Sequence, residues 1–149
     1  MFPAPQELRT YFVTTITANR RRLFQVDANA DLLLQVMLNN RSKNHFALHA
    51  FVIMSDHFHA LLTPAPHVSL EKAMQFIKGG FSYLHKGKMD IWMRGFNESQ
   101  ILSSAKFDAC KMYIEANPVR KGWTTSAESF IHSSAHKPDV VDAKPAHLQ

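Results

Sequence analysis

The strongest constraint on the fold lies mid-chain, where the apolar run from Phe46 to Ser55 is followed by a second from His57 to Thr63, with little more than Asp56 between them. Both runs alternate in the manner of strands, and one residue leaves no room for a helical crossover. They are therefore either adjacent antiparallel strands or one long bent strand, and in both cases His57 belongs to the second.

The flanking sequence supplies elements that can cover such strands. Thr10 to Ala18 (TYFVTTITA) mixes β-branched, aromatic and polar residues in near alternation and reads as a half-buried first strand. A basic turn, Asn19-Arg20-Arg21-Arg22, follows, and Asp27 stands at an N-cap position ahead of Leu32, Leu33, Val36 and Met37, predicting a helix to about Asn40. Ser69 caps a second predicted helix whose positions Leu70, Ala73, Met74, Ile77, Phe81 and Leu84 recur at helical spacing. Gly79-Gly80 lies inside it. Each Gly costs about 1 kcal/mol relative to Ala in a helix, so a neighbour, most simply a strand, is expected to approach the backbone there.

A short strand is expected at Ile91 to Met93 or Ser99 to Leu102. From about Ser104 a third helix turns Phe107, Cys110 and Ile114 inward before Asn117-Pro118 ends it. Beyond Trp123 periodicity fades, and residues 137–149 are expected to form a flexible tail to a single domain spanning 1–136. The order strand, helix, strand, strand, helix, strand, helix predicts an α+β fold: a ferredoxin-like antiparallel sheet of four or five strands with helices packed on one face.

Composition narrows the setting. The formal net charge is +5, which suits a polyanionic partner without identifying one. The single Cys110 forms no internal disulfide, no apolar run approaches the roughly 20 residues that span a bilayer, and the start resembles no signal peptide, so a cytoplasmic protein is expected.

Within this frame His57-Phe58-His59 is the most informative triplet. Residues i and i+2 of a strand leave the same face, so two imidazoles can meet one ion, although such a triplet also arises by accident. Two imidazoles need a third ligand to make a metal site for chemistry. Tyr113 and Asn117, at i and i+4, lie on one face of the third helix. If that face meets the histidine strand, Asn117 completes the metal shell and Tyr113 reaches whatever the metal polarises. The plain alternative is a packed Tyr ring and an ordinary Asn-Pro helix stop.

The stretches TYFVTTITANRRRLF, FALHAFVIMSDHFHALLTP, SLEKAMQFIKGGFS, WMRGFNE and YIEANPVRKG, in that order, resemble the HUH single-tyrosine transposases of the insertion-sequence 200/605 group. They look most like the branch called REP-associated tyrosine transposases, over roughly Thr10 to Trp123. The resemblance implies that His57 and His59 are metal ligands with Asn117, that the metal is Mg²⁺ or Mn²⁺, and that Tyr113 is the nucleophile. It further implies a single-strand DNA endonuclease and strand transferase acting on DNA near a hairpin through a 5′-phosphotyrosine intermediate. Arg20, Arg21, Arg22, Lys78, Arg94, Arg120 and Lys121 are the candidate DNA-binding cations, joined by Lys86 and Lys88, with Phe81, Tyr83, Trp92 or Phe96 as stacking platforms.

The sequence departs from the family in several places: the segment between Lys86 and Trp92 is short, and Asp56, read as a turn residue, adds a negative charge beside the first histidine. Ser55 stands where Pro is usual before the first histidine, and Phe130-Ile131-His132-Ser133-Ser134 only partly matches the aromatic-Ser-Ser closing motif. Members of the group act as dimers or alone, and a homodimer stays open here. Two other classes stay open as well: a non-catalytic hairpin-binding descendant, and a metal-dependent phosphodiesterase using water.

Overall fold

A computed structural model describes residues 6–149. Its centre is a four-stranded antiparallel sheet of β1 (Thr10–Ile16), β2 (Phe46–Ile53), β3 (His57–Pro64) and β4 (Asn97–Ile101) in the order β2-β3-β1-β4. The two mid-chain runs are adjacent strands, with Phe51 opposite Ala60 and Ile53 opposite Phe58. Between Leu48 and Ala50 the register slips, which makes His49 the extra residue of a bulge. The fourth strand takes the later of the two expected places, and Trp92 contributes only an isolated bridge to Thr17.

Both faces of the sheet are covered. α1 (Asp27–Ser42) and α2 (Leu70–His85) lie on one, where Val13, Phe51, Phe58, Ala60 and Leu62 meet Leu33, Met37, Ile77 and Phe81. α3 (Ser104–Glu115) lies on the other and sets Phe107 and Ile114 against Ala50, Val52 and Leu61. The sequence reading puts the helices on one face. The second cover follows from β2 and β3, which are buried and apolar on both sides along most of their length and cannot leave either side to water.

Local chemistry sets the helix boundaries. Ser69 Oγ accepts the Lys72 N–H at 3.1 Å and Ser103 Oγ accepts the Lys106 N–H at 3.1 Å, so α2 and α3 start where a hydroxyl satisfies a free donor. Val26, not Asp27, holds the cap position of α1. Asp27 is instead the first helical residue, where its charge suits the helix dipole and its Oδ1 accepts from His132 Nε2 at 2.9 Å. The close approach at the glycine pair comes from a helix and not from a strand: a Cβ on Gly80 would stand 2.9 Å from Val36 Cγ1 of α1. Pro118 does not end the helical path. Ala116 stays in the right-handed region at φ −85°, and a short α4 (Asn117–Arg120) continues with Pro118 in its first turn, where no N–H is needed.

Residues 137–149, expected as a flexible tail, lie against the sheet. Asp142 accepts Arg41 in bidentate fashion at 3.0 and 2.8 Å and also takes the Leu48 N–H at 2.8 Å, while Leu48 O accepts the Asp142 N–H. Leu148 is buried beside Ile101 and Phe107, and Lys144 pairs with Asp108 at 2.8 Å. Just upstream, Ser133 bridges Val52, the Ile53 N–H reaches His132 O and the Ser134 N–H reaches Phe51 O. These contacts occupy the free edge of β2, a row of backbone groups that would otherwise pair with another chain. Weak periodicity is what a segment fastened by hydrogen bonds along an edge looks like in sequence.

Candidate functional site

His57 and His59 are alternate residues of β3, opposite Ile16 and Thr14 of β1, and both leave the sheet toward α3. Their ring centres are 4.9 Å apart and the planes cross at 74°. Each imidazole is held through Nδ1: His57 by Asp56 Oδ1 at 2.6 Å, His59 by Thr14 Oγ1 at 2.8 Å. Since a carboxylate only accepts, His57 Nδ1 carries a hydrogen toward Asp56, and Nε2 is the ring nitrogen left to meet a metal ion. Among the described residues neither Nε2 takes a hydrogen bond.

Burial first, then the positive charges of His57 and Arg120, push the His59 pKa down to about 4, so this ring is neutral at pH 7. Burial works to raise the Asp56 pKa. The hydrogen bond from His57 and the charges of His57 and of Arg20, 3.7 Å away, outweigh it and hold the carboxyl below its ordinary value. Asp56 is thus an ionised group orienting His57 from behind, the arrangement that commonly backs a metal-binding imidazole.

Across this pair stands Tyr113 of α3. Phe107 and Ile114 anchor the helix, which leaves Tyr113 at its rim, 52% exposed, with its ring edge toward His59 at 6.3 Å between centres. Phe12 stacks on His59 at 5.3 Å and meets Tyr113 at 6.0 Å, so the three rings wedge one another. From α4, Arg120 lays its guanidinium 4.0 Å over the Tyr113 ring and donates Nη1–H to Tyr113 O at 2.9 Å.

Asn117 lies one helical step further, since the path runs on through Ala116 into α4. It is 5% exposed, and its side chain forms no hydrogen bond among the described residues. No three His, Cys, Asp or Glu side chains converge on a metal position among those residues. A metal here needs an oxygen of another kind, and the amide of Asn117 has that chemistry. Two imidazoles with anchored Nδ1 and open Nε2 atoms fit a divalent ion.

The candidate cations divide by what they touch. Lys78 Nζ donates to Met93 O at 3.2 Å and Gly95 O at 2.8 Å, and burial lowers its pKa; it pins the segment before β4. Arg21 donates to Asp90 O. Arg94 is exposed. Arg20, Arg22 and Lys121 gather instead around a cleft of about 570 Å³ that His57 and Asp56 also line, together with Trp123 and Phe130. Of the expected stacking platforms, Phe81 is core and Trp92 packs against Phe24, Phe58 and Phe81, whereas Tyr83 is open to solvent. Trp123 is the aromatic the sequence reading passes over, although its place directly after the basic Arg120-Lys121-Gly122 is a signal.

The fold is shared with solved structures described as transposases. A solved structure described as a REP-associated tyrosine transposase bound to a REP hairpin superposes with a TM-score of 0.77 at 22% identity, covering 97% of this chain and 89% of the other. A putative transposase from Deinococcus radiodurans R1 gives a TM-score of 0.55 at 19% identity, over 77% of this chain and 95% of that one. No curated protein matches. Residues 6–117 match the family described as "Transposase IS200 like", and the chain belongs to that family. Among the described residues no helix is long and apolar enough to cross a membrane.

Proposed function

We propose that this chain nicks and rejoins single-stranded DNA beside hairpins, with Tyr113 as nucleophile and His57, His59 and Asn117 holding Mg²⁺ or Mn²⁺. One observation carries the reading: two neighbouring imidazoles are anchored at Nδ1 with both Nε2 atoms open, and a half-exposed tyrosine of α3 lies against the second, His59, at 6.3 Å between ring centres. Tyr113 Oη attacks phosphorus and gives up its proton, the bond from phosphorus to O3′ breaks, and a free 3′-hydroxyl leaves a 5′-phosphotyrosine. Attack by a 3′-hydroxyl reverses the step and regenerates the phenol. A divalent ion held by His57, His59 and Asn117 would polarise the scissile phosphate and offset charge on its oxygens. Phe12 and Arg120 fix the Tyr113 ring, Asp56 and Thr14 fix the imidazoles, and in this reading Arg20, Arg22, Arg94 and Lys121 meet DNA phosphates. A REP-type hairpin is the first substrate to try, given the hairpin named for the structural neighbour.

A second reading, a hairpin-binding protein that no longer cuts, draws on the need for an amide as third ligand where no acidic side chain converges. One experiment separates the two. The protein is incubated with labelled hairpin single strands and Mg²⁺ or Mn²⁺, then run on a denaturing gel. A covalent adduct lost in Tyr113→Phe and in His57→Ala is expected. Binding with no adduct or nick on any hairpin gives the second reading, and nicking that survives Tyr113→Phe points to water as nucleophile.

A further inference from the structure

The cleft beside His57 is a site of its own, with apolar walls from Phe24, Ile53 and Met54 and cations from Arg20, Arg22 and Lys121. Its volume of about 570 Å³ lies in the range of small-ligand sites. Trp123 stands at its wall and is held in place: the Gly122 turn at φ +76° points the chain back, the Trp123 N–H donates to Pro118 O at 2.9 Å, and the indole leans on Phe130 at 5.9 Å. Yet Trp123 remains 47% exposed, and its indole N–H has no acceptor among the described residues. Arg22 and Lys121 pair with no carboxylate among those residues. A rigid, half-open indole among unpaired cations suits a flat anionic ligand, whereas inorganic phosphate or duplex DNA would leave the indole unused.

Position narrows the ligand further. His57 lines the cleft and belongs to the histidine pair, so a strand whose phosphate rests at the pair can carry one of its two neighbouring nucleotides past Asp56 toward Trp123. We propose that the cleft binds one unpaired nucleotide adjoining the scissile phosphate, with its base stacked on Trp123 and its phosphate met by Arg22 and Lys121. The proposal rests on the nicking function above and adds where the single strand leaves the reaction centre. Asp27, which lines the same cleft, is an acceptor for the amino groups of a base.

The test uses the full chain and fluorescein-labelled tetranucleotides, (dT)4 and (dA)4, with anisotropy for affinity and tryptophan emission for contact. Trp92 is packed among Phe24, Phe58 and Phe81, so quenching reports Trp123. We expect quenching in the wild-type protein and a loss of affinity of about 5- to 150-fold in Trp123→Ala. Lys121→Glu and Arg22→Ala should weaken binding and flatten its salt dependence by about one counterion each. Lys121 is exposed, so its variant decides the matter even if Trp123→Ala unfolds. Equal affinity in the wild type and Lys121→Glu, or adduct formation on hairpins by a protein that binds no tetranucleotide, would overturn the cleft site while leaving the nicking function intact. Tetranucleotide binding and quenching without any adduct would keep the site and remove the nicking function.

Discussion

Arg120 does two things to Tyr113: its guanidinium covers the ring at 4.0 Å and its Nη1 ties the backbone carbonyl. Both restrain the phenol that the proposed reaction uses as its nucleophile, and the planar guanidinium can do both where an ammonium cannot. Arg120→Ala should therefore lower the single-turnover rate of adduct formation by about tenfold or more, and Arg120→Lys should recover only part of it; an unchanged rate in Arg120→Ala would show that the stack is idle. Cys110 makes a second prediction on the same helix. Burial pushes its thiol pKa up to about 12, so iodoacetamide at pH 8 should label it at least about tenfold more slowly than free cysteine. Labelling at the free rate would mean that α3 leaves the sheet in solution. Which residues meet at the site was only partly legible. The shared face of His57 and His59 follows from the two-residue period of a strand, and the position of Asn117 one turn beyond Tyr113 from the four-residue step of a helix. Phe12 and Thr14 become partners only through the β1–β3 register, and Trp123 only through the Gly122 turn, neither of which a linear pattern encodes.

At the scale of elements, the two glycines of α2 are neighbours in sequence with opposite surroundings. A Cβ at position 79 meets nothing within 4 Å, while one at 80 meets the stiff Val36 side chain of α1 at 2.9 Å. Gly79→Ala should stabilise the fold by about 0.5–1 kcal/mol through helix propensity alone. In Gly80→Ala the same gain is opposed by an overpacking cost of about 1–3 kcal/mol, so its thermal midpoint should fall below that of Gly79→Ala. Matching midpoints would show that α1 and α2 separate at little cost. The helix itself was legible from its 3.6-residue apolar stripe, and the glycine pair did announce a close approach. That the approaching element is α1 depends on how two helices share one face of the sheet. In the same way α3 reads as an amphipathic helix in sequence, but its side of the sheet is decided by the double-sided burial of β2 and β3.

The whole molecule is closed by its C-terminal segment, and the closure brings a buried histidine with it. His49, the bulge residue of β2, donates Nδ1–H to Asp142 O at 3.2 Å, and its Nε2 accepts from Thr63 Oγ1 at 2.8 Å. Thr63 meets Thr10 at 2.7 Å, and Thr10 meets His147 Nε2 at 3.3 Å, so a chain of polar groups runs from the bulge to the terminal turn. Burial lowers the His49 pKa, with a smaller push from Lys111; Asp142 pulls the other way and is outweighed. A histidine with a depressed folded pKa binds its proton more readily when unfolded, so the stability it confers is present above the unfolded value of 6.5 and is lost as pH falls below it. Asp142 has the same sign in a lower window: hydrogen bonds from Arg41 and Leu48 outweigh burial and hold its carboxyl below the ordinary 3.8, so its contribution fades only under stronger acid. His59 also bends the curve toward acid instability, so a single pH profile cannot assign the slope. The comparison that can uses chelator-treated protein and thermal midpoints between pH 7 and 5. The wild type should lose stability across that window, His49→Gln should lose less, and a chain ending at residue 136 should start lower and also lose less, because His49 is then open to water. A slope equally steep in all three would place the titrating group outside this closure, and a truncated chain as stable as the full one would show that residues 137–149 rest on the sheet without holding it.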